Sequence, residues 1–165
     1  MRTFKLQTRL WLPQPRQQIF AFFADPNNLE RITPPWLRFE ITSSNSLPVG
    51  RCTRIDYRLR IRGLPIRWRS EITAWEPPAR FVDRQTRGPY RQWIHEHTFS
   101  EHEGGTLVGD SVVYGVTGGK LVQKLLVAPD LTRIFHYRHA VLQNLFNPGG
   151  LQPSTGLLNA TSEKE

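Results

Sequence analysis

The chain has 165 residues, 38% of them hydrophobic, which is enough to bury a substantial core within one domain. Its single cysteine, Cys52, excludes an internal disulfide and a thiolate metal cluster, and no apolar run approaches the roughly 18 residues of a membrane-spanning helix. A formal charge of +8, carried by 18 Arg and 4 Lys, draws anions to the surface without saying whether they belong to nucleic acid, an acidic membrane or a ligand.

The N-terminal residues MRTFKLQTRLWL alternate from the start and lack the apolar run of a signal peptide, so the expectation is a soluble cytoplasmic protein. Residues 3–12 read as a strand with Phe4, Leu6, Thr8 and Leu10 on one face. Pro15 suits the first turn of a helix over 15–24, whose Ile19, Phe20, Phe22 and Phe23 recur at helical spacing. Asp25-Pro26 ends it, and a second short helix is expected at about 27–32.

From Trp36 the period becomes two. Strands are expected at 36–43, 52–62, 66–76, 80–87, 91–101 and 106–116, separated by Leu47-Pro48-Val49-Gly50, Gly63-Leu64-Pro65, Pro77-Pro78, Gly88-Pro89 and Gly104-Gly105. With the first strand this makes seven, joined by short connections, hence an antiparallel meander. Cys52 reads as a small strand residue. After Gly118-Gly119 the period returns to 3.6, beginning at Leu121, Val122, Leu125 and Leu126. Ala128-Pro129 interrupts it, and Asp130 is a good N-cap for a helix over 131–146 with a stripe of Leu131, Ile134, Phe135, Leu142, Leu145 and Phe146. The domain is expected to span 1–147, followed by a polar, disordered tail over 148–165.

The most informative face is mixed. Phe81, Asp83 and Gln85 share one parity of their strand, and Trp93, His95, His97 and Phe99 share one parity of the next. Alternate residues of a strand lie on one face. Val108, Asp110, Val112 and Tyr114 add a second carboxylate to it. A covered face that carries several polar groups points to a ligand cavity rather than a solid core. Two His two residues apart, with Asp83 or Asp110, can ligate zinc. The flanking Trp93 and Phe99 favour a hydrogen-bonding pocket instead, so no metal and no cofactor is assigned. A His/Asp pair on this face serves acid–base chemistry, ligand binding or a buried structural contact.

Arg138 lies on the apolar stripe of the last helix, where a guanidinium needs an inner carboxylate, an anionic ligand group or a route to the cavity mouth. His136 and His139 sit off that stripe and read as solvent residues. The third and fourth strands alternate Ile55, Tyr57, Leu59, Ile66 and Trp68 against Arg54, Arg58, Arg60, Arg62 and Arg67, a basic outer face open to weak anionic contacts but broken by Asp56 and Glu71.

This order of elements, with the segments PRQQIFAFFADPNNLERITPPW, LPVG, EITAWEPPARFVD, GPYRQWIHEHTF and GGTLVGDSVVYGV, resembles the START-like (SRPBCC) superfamily over residues 3–146. The WIHEHTF strand looks most like small bacterial members labelled as cyclase/dehydrase-like. The resemblance implies the α+β helix-grip fold: a seven-stranded curved antiparallel sheet wrapped around a long C-terminal helix, with two short helices after the first strand. It also implies a cavity for an apolar or amphipathic ligand, such as a lipid, quinone, hormone or polyketide.

Three readings follow. In the first the protein is a carrier, with Tyr57, Trp68, Trp93, Phe99, Tyr114 and Phe135 as the apolar wall and Asp83, Gln85, His95, His97, Asp110 and Arg138 orienting a polar or anionic head. In the second the same His/Asp pairs make it a cyclase, dehydratase or hydrolase. In the third the Arg face binds nucleic acid or a membrane surface.

Overall fold

The period-two segments pair into one antiparallel sheet because each has an apolar face to bury. The structure is a computed structural model that describes residues 2–43 and 48–150, together with the backbone of 157–161. Strand β1 (Phe4–Leu12) leads into helices α1 (Arg16–Ala24) and α2 (Asn28–Ile32). There follow β2 (Glu40–Ile41), β3 (Arg54–Ile61), β4 (Leu64–Glu76), β5 (Arg80–Arg87), β6 (Gln92–His102) and β7 (Gly105–Gly115). The sheet order is β2-β3-β4-β5-β6-β7-β1-β8, where β8 (Leu157–Thr161) pairs with the outer edge of β1. This is the helix-grip arrangement, seven meander strands plus one from the tail.

Two tight turns pin the register. Arg62 and Gly63 (φ 51° and 82°) join β3 to β4, and Glu103 and Gly104 (φ 45° and 75°) join β6 to β7. Positive φ at both central residues matches the twist of a two-residue hairpin, and glycine takes the second position at little steric cost.

Several expectations need correction. The strand expected at 36–43 shrinks to Glu40–Ile41, because Pro34-Pro35 starts a 3-10 turn (Pro35–Leu37) and Arg38 at φ 44° redirects the chain. Cys52 is an exposed turn residue at φ 69°, not part of a strand. Ala128-Pro129 does not interrupt the C-terminal helix. A helical path runs from α3 (Gly119–Val122) through a π-helical turn (Gln123–Val127) into α4 (Ala128–Phe146). Widening the turn before Pro129 accommodates a ring that would otherwise meet the carbonyl four residues back. Asp130 is therefore inside the helix, and its carboxylate pairs with Arg62 at 2.8 Å. Leu121 and Leu125 face solvent rather than the core. The tail is not wholly irregular, since the backbone of 157–161 adds to the free edge of β1; Leu47, 151–156 and 162–165 lie outside the described residues.

Helix α4 crosses the concave face and buries Leu131, Phe135, His139, Leu142 and Gln143. Gln143 donates to the Trp11 carbonyl at 3.1 Å, and Gln14 donates to the Phe146 carbonyl at 3.2 Å, tying the end of α4 to β1. Under the helix the core divides in two. One cluster gathers Leu10, Leu12, Ile19, Phe20, Phe23, Phe81, Phe99, Val108 and Leu142; the other gathers Phe4, Leu6, Trp68, Trp93, Val112, Tyr114, Leu131 and Phe135.

Leu142 is 1% exposed whereas Leu145, three residues on, is 38% exposed. Leu142→Ala is accordingly expected to lower unfolding free energy in urea by about 2–5 kcal/mol through the cavity it leaves. Leu145→Ala should change it by less than about 0.5 kcal/mol.

Candidate functional site

A belt of polar side chains crosses the concave face between the two apolar clusters. It runs from Tyr57 on β3 through Ser70 on β4, Asp83 on β5, His95 and His97 on β6 and Asp110 on β7 to Thr8 on β1. Register explains it: Asp83 lies opposite His95, His97 opposite Asp110, and Asp110 opposite Thr8. Strand parity turns all of them inward.

The hydrogen bonds run diagonally to the register. His95 Nε2 lies 2.7 Å from Asp110 Oδ1, and His97 Nε2 lies 3.1 Å from Asp83 Oδ2. Long side chains commonly reach the diagonal neighbour across a strand pair. The two imidazole centroids are 3.8 Å apart, and His97 also stacks on Phe81 at 4.2 Å. Ser70 donates to Asp83 at 3.3 Å and accepts from Trp68 Nε1 at 3.1 Å, while the Tyr57 hydroxyl sits 3.3 Å from Ser70.

Burial and pairing oppose each other at every group of this cluster. Burial would raise the carboxyl pKa values, but the hydrogen bond from His95, the close approach of His97 and the charge of Arg138 outweigh it, holding Asp110 well below the usual carboxylate range. Asp83 is lowered for the same kind of reason, with His97 as its main partner. The two imidazoles diverge. Burial, helped by the charge of His97, lowers His95; for His97 the two carboxylates overcome burial and raise it.

Arg138 reaches this region from α4 but makes no ion pair with it. Its Nε and Nη2 are buried without a hydrogen-bond partner among the described residues, and its guanidinium lies over the rings of Phe23 and Phe135 at 5.4 and 5.9 Å. Its neighbour His139 corrects the sequence reading. It is 3% exposed, and both ring nitrogens lack hydrogen-bond partners among the described residues.

Two cavities flank the belt. The larger, about 420 Å³, lies between the sheet and α4, lined by Tyr57, Trp68, Tyr90, Trp93, His95, Leu131, Ile134, Phe135 and Arg138. It reaches the surface at Trp36 and Leu126, each 41% exposed. The smaller, about 70 Å³, is lined by Phe23, Ile55, Tyr57, Ser70, Phe81, Asp83, His97 and Arg138 among others. Tyr57 and Arg138 border both. Of the residues expected at a ligand, Tyr57, Trp68, Asp83, Trp93, His95, His97, Phe135 and Arg138 line one cavity or the other.

Gln85, Phe99, Asp110 and Tyr114 line neither. Gln85 clamps the β5–β6 turn by donating to the Tyr90 carbonyl at 2.7 Å. Phe99 is packed in the first apolar cluster, and Asp110 sits behind His95. Tyr114 is fully buried and accepts from Gln123 at 3.1 Å. Ser70, Trp36, Tyr90 and Leu131 were missed. Ser70 shares the parity of Trp68 and Ile72 and was legible on that ground; Trp36 reaches the cavity only through the 3-10 turn. On the outer face Arg54 and Arg58 pair with Glu71 and Glu40 at 2.8 and 2.7 Å, which reduces the charge they present to a partner, whereas Arg62, expected on that face, turns to Asp130 of α4 at 2.8 Å and borders the larger cavity.

The sequence profile of the polyketide cyclase/dehydrase and lipid transport family matches residues 12–136. Among solved structures, protein Ms6760 from Mycobacterium smegmatis is 22% identical, covering 86% of this chain and 89% of its own, with a TM-score of 0.61. Ara h 8.0201 is 15% identical over 87% of this chain and 97% of its own, with a TM-score of 0.65. Major latex-like protein 151 from Panax ginseng is 15% identical over 88% and 99%, with a TM-score of 0.65. At such identities the likeness is one of fold. No curated protein sequence matches the chain. Among the described residues no helix is long and apolar enough to cross a membrane.

His139 gives the site a pH signature. Burial above all, with the charges of Arg138 and His136 adding to it and Asp110 opposing, depresses it from 6.5 to about 4. The unfolded chain takes up this proton below 6.5 and the folded protein resists until about 4. Stability from neutral His139 is therefore fully present above 6.5 and lost as pH falls from 6.5 to 4. The loss amounts to about 3 kcal/mol. In urea titrations across this range, His139→Gln should flatten the acid limb of the stability profile.

Proposed function

Because the chain belongs to the polyketide cyclase/dehydrase and lipid transport family, we propose that it binds and carries a small hydrophobic or amphipathic molecule in the larger cavity. The observation that supports this most is the cavity itself. Its volume of about 420 Å³ falls within the range of small-molecule sites, and its walls are mostly aromatic and aliphatic. Tyr57, Trp68, Trp93, Leu131 and Phe135 hold the apolar body. Arg138, with its unpartnered donors, and His95, on the opposite wall, orient a polar or anionic head.

Buried guanidinium nitrogens without a partner, such as Nε and Nη2 of Arg138, cost stability in the empty protein and repay it when an anionic group arrives. That asymmetry is characteristic of a binding residue rather than a structural one. A second reading, acid–base catalysis, draws on the His95–Asp110 pair, in which a carboxylate orients an imidazole that borders the cavity. It requires the His95 ring to exchange a proton with the bound molecule.

Native mass spectrometry of protein isolated from its own host should show a small molecule bound to the folded chain. Anilinonaphthalene sulfonate, an anionic amphipath, serves as a probe. Arg138→Met is expected to weaken its binding about tenfold while the empty protein still unfolds cooperatively. Trp93→Leu should weaken it about tenfold through lost apolar contact. Turnover of the co-purified molecule, lost in Asp110→Asn while binding persists, would establish the catalytic reading in place of the carrier.

A further inference from the structure

We propose that Asp83, His95 and His97 form a site for a divalent transition-metal ion of the zinc class, with Asp110 orienting both imidazoles from behind. On sequence alone the flanking Trp93 and Phe99 favour a hydrogen-bonding pocket over a metal. Their assembled geometry is more specific. The three side chains offer ligand atoms that all lie within 4.8 Å of one another.

Both imidazoles direct one nitrogen at the same carboxylate oxygen. His97 Nε2 is 3.1 Å from Asp83 Oδ2, and His95 Nδ1 is 3.8 Å from it. Donor atoms around a tetrahedral zinc ion with bonds of about 2.1 Å sit roughly 3.4 Å apart, between these two values. The 3.8 Å separation is too long for a hydrogen bond, so protons alone leave the His95–Asp83 contact unmade. An ion in contact with all three atoms would complete it.

The remaining ring nitrogens converge on the other carboxylate. His95 Nε2 is 2.7 Å and His97 Nδ1 3.1 Å from Asp110 Oδ1. A carboxylate behind a histidine, accepting the ring N–H that is not on the metal, is the usual outer partner of a metal-binding imidazole. Here a single Asp serves two. His97 Nδ1 is buried and not aligned for a hydrogen bond, so a small rotation of that ring toward the ion would satisfy it.

Asp83 and His97 also line the smaller cavity, together with Ser70, Tyr57 and Arg138. The unliganded side of the ion would face that space, open to water. Two His and one carboxylate with an open position are the donor set of catalytic zinc and of non-haem ferrous sites. The proposal shares His95 with the carrier reading but does not depend on it, since the ion would face the smaller cavity, and a metal-free carrier and a metal-binding non-carrier are both physically coherent.

The test uses the full chain, stripped with a chelator and titrated with Co²⁺, whose visible absorption reports coordination number. One ion per chain is expected with the intense bands of four- or five-coordination, displaced by Zn²⁺, and Zn²⁺ should raise the melting temperature. Asp83→Asn, nearly isosteric and checked for cooperative unfolding, should abolish the bands, as should His97→Ala. Asp110→Asn should weaken binding roughly 10–100-fold while retaining the spectrum. The double variant His102→Ala/His136→Ala, which removes two exposed imidazoles, should bind as the parent does. Absence of the bands from the folded parent would overturn the proposal, as would bands that survive Asp83→Asn or vanish in the double variant. Anilinonaphthalene sulfonate binding, measured on the same samples, reports separately on the larger cavity.

Discussion

The mutual pairing of two carboxylates and two imidazoles on the concave face is the constraint on which the rest of the structure depends. Four ionisable groups cannot be buried beneath a helix unless each satisfies another, since an isolated charge there costs several kcal/mol. Satisfaction in turn fixes register. A slip of one residue in β6 would send His95 and His97 outward and leave Asp83 and Asp110 unpaired. The belt therefore acts as a latch on the pairing of β5, β6 and β7, in addition to any chemistry it performs.

It also shapes the interior. Because no apolar side chain can pack continuously across the belt, the core separates into two clusters with a cavity beside each. Tyr57 and Arg138 stand at the boundary and border both cavities. The larger cavity reaches the surface where the hairpin at Arg62, the 3-10 turn at Trp36 and the π-helical turn before α4 come together, and Arg62 ties two of these through Asp130 and the Leu126 carbonyl. Irregular backbone is thus concentrated at the mouth, and regular strands hold the chemistry.

Much of this was legible in the sequence. Strict alternation in 92–102 and 105–115 gives the inner parity of Trp93, His95, His97, Phe99 and Asp110, and the wide stripe of α4 identifies the element that covers them. What alternation cannot supply is the offset between strands. Parity put Asp83 and Asp110 on the right face but not on the diagonals that link them to His97 and His95. Parity also says nothing about depth, so Phe99, Tyr114 and Gln85 were read as cavity residues although packing and a turn claim them. His139 was misread for a related reason: α4 lies close enough to the sheet that residues beside its central stripe are buried too. The short β2 and the uninterrupted helix through Pro129 were decided by backbone geometry, a 3-10 turn and a π-helical turn, that residue periodicity does not encode.

The central claim is that a ligand occupies the space between the sheet and α4. Ile134 lines that space from the helix while remaining only half-buried, so a larger side chain there fills the cavity without crowding the two packed clusters. The decisive measurement is the affinity of Ile134→Trp for anilinonaphthalene sulfonate and for the molecule that accompanies the protein from its host, alongside its melting temperature. The account predicts loss of both ligands with a melting temperature within a few degrees of the parent. Unchanged affinity in a correctly folded Ile134→Trp protein would place the ligand elsewhere and contradict it.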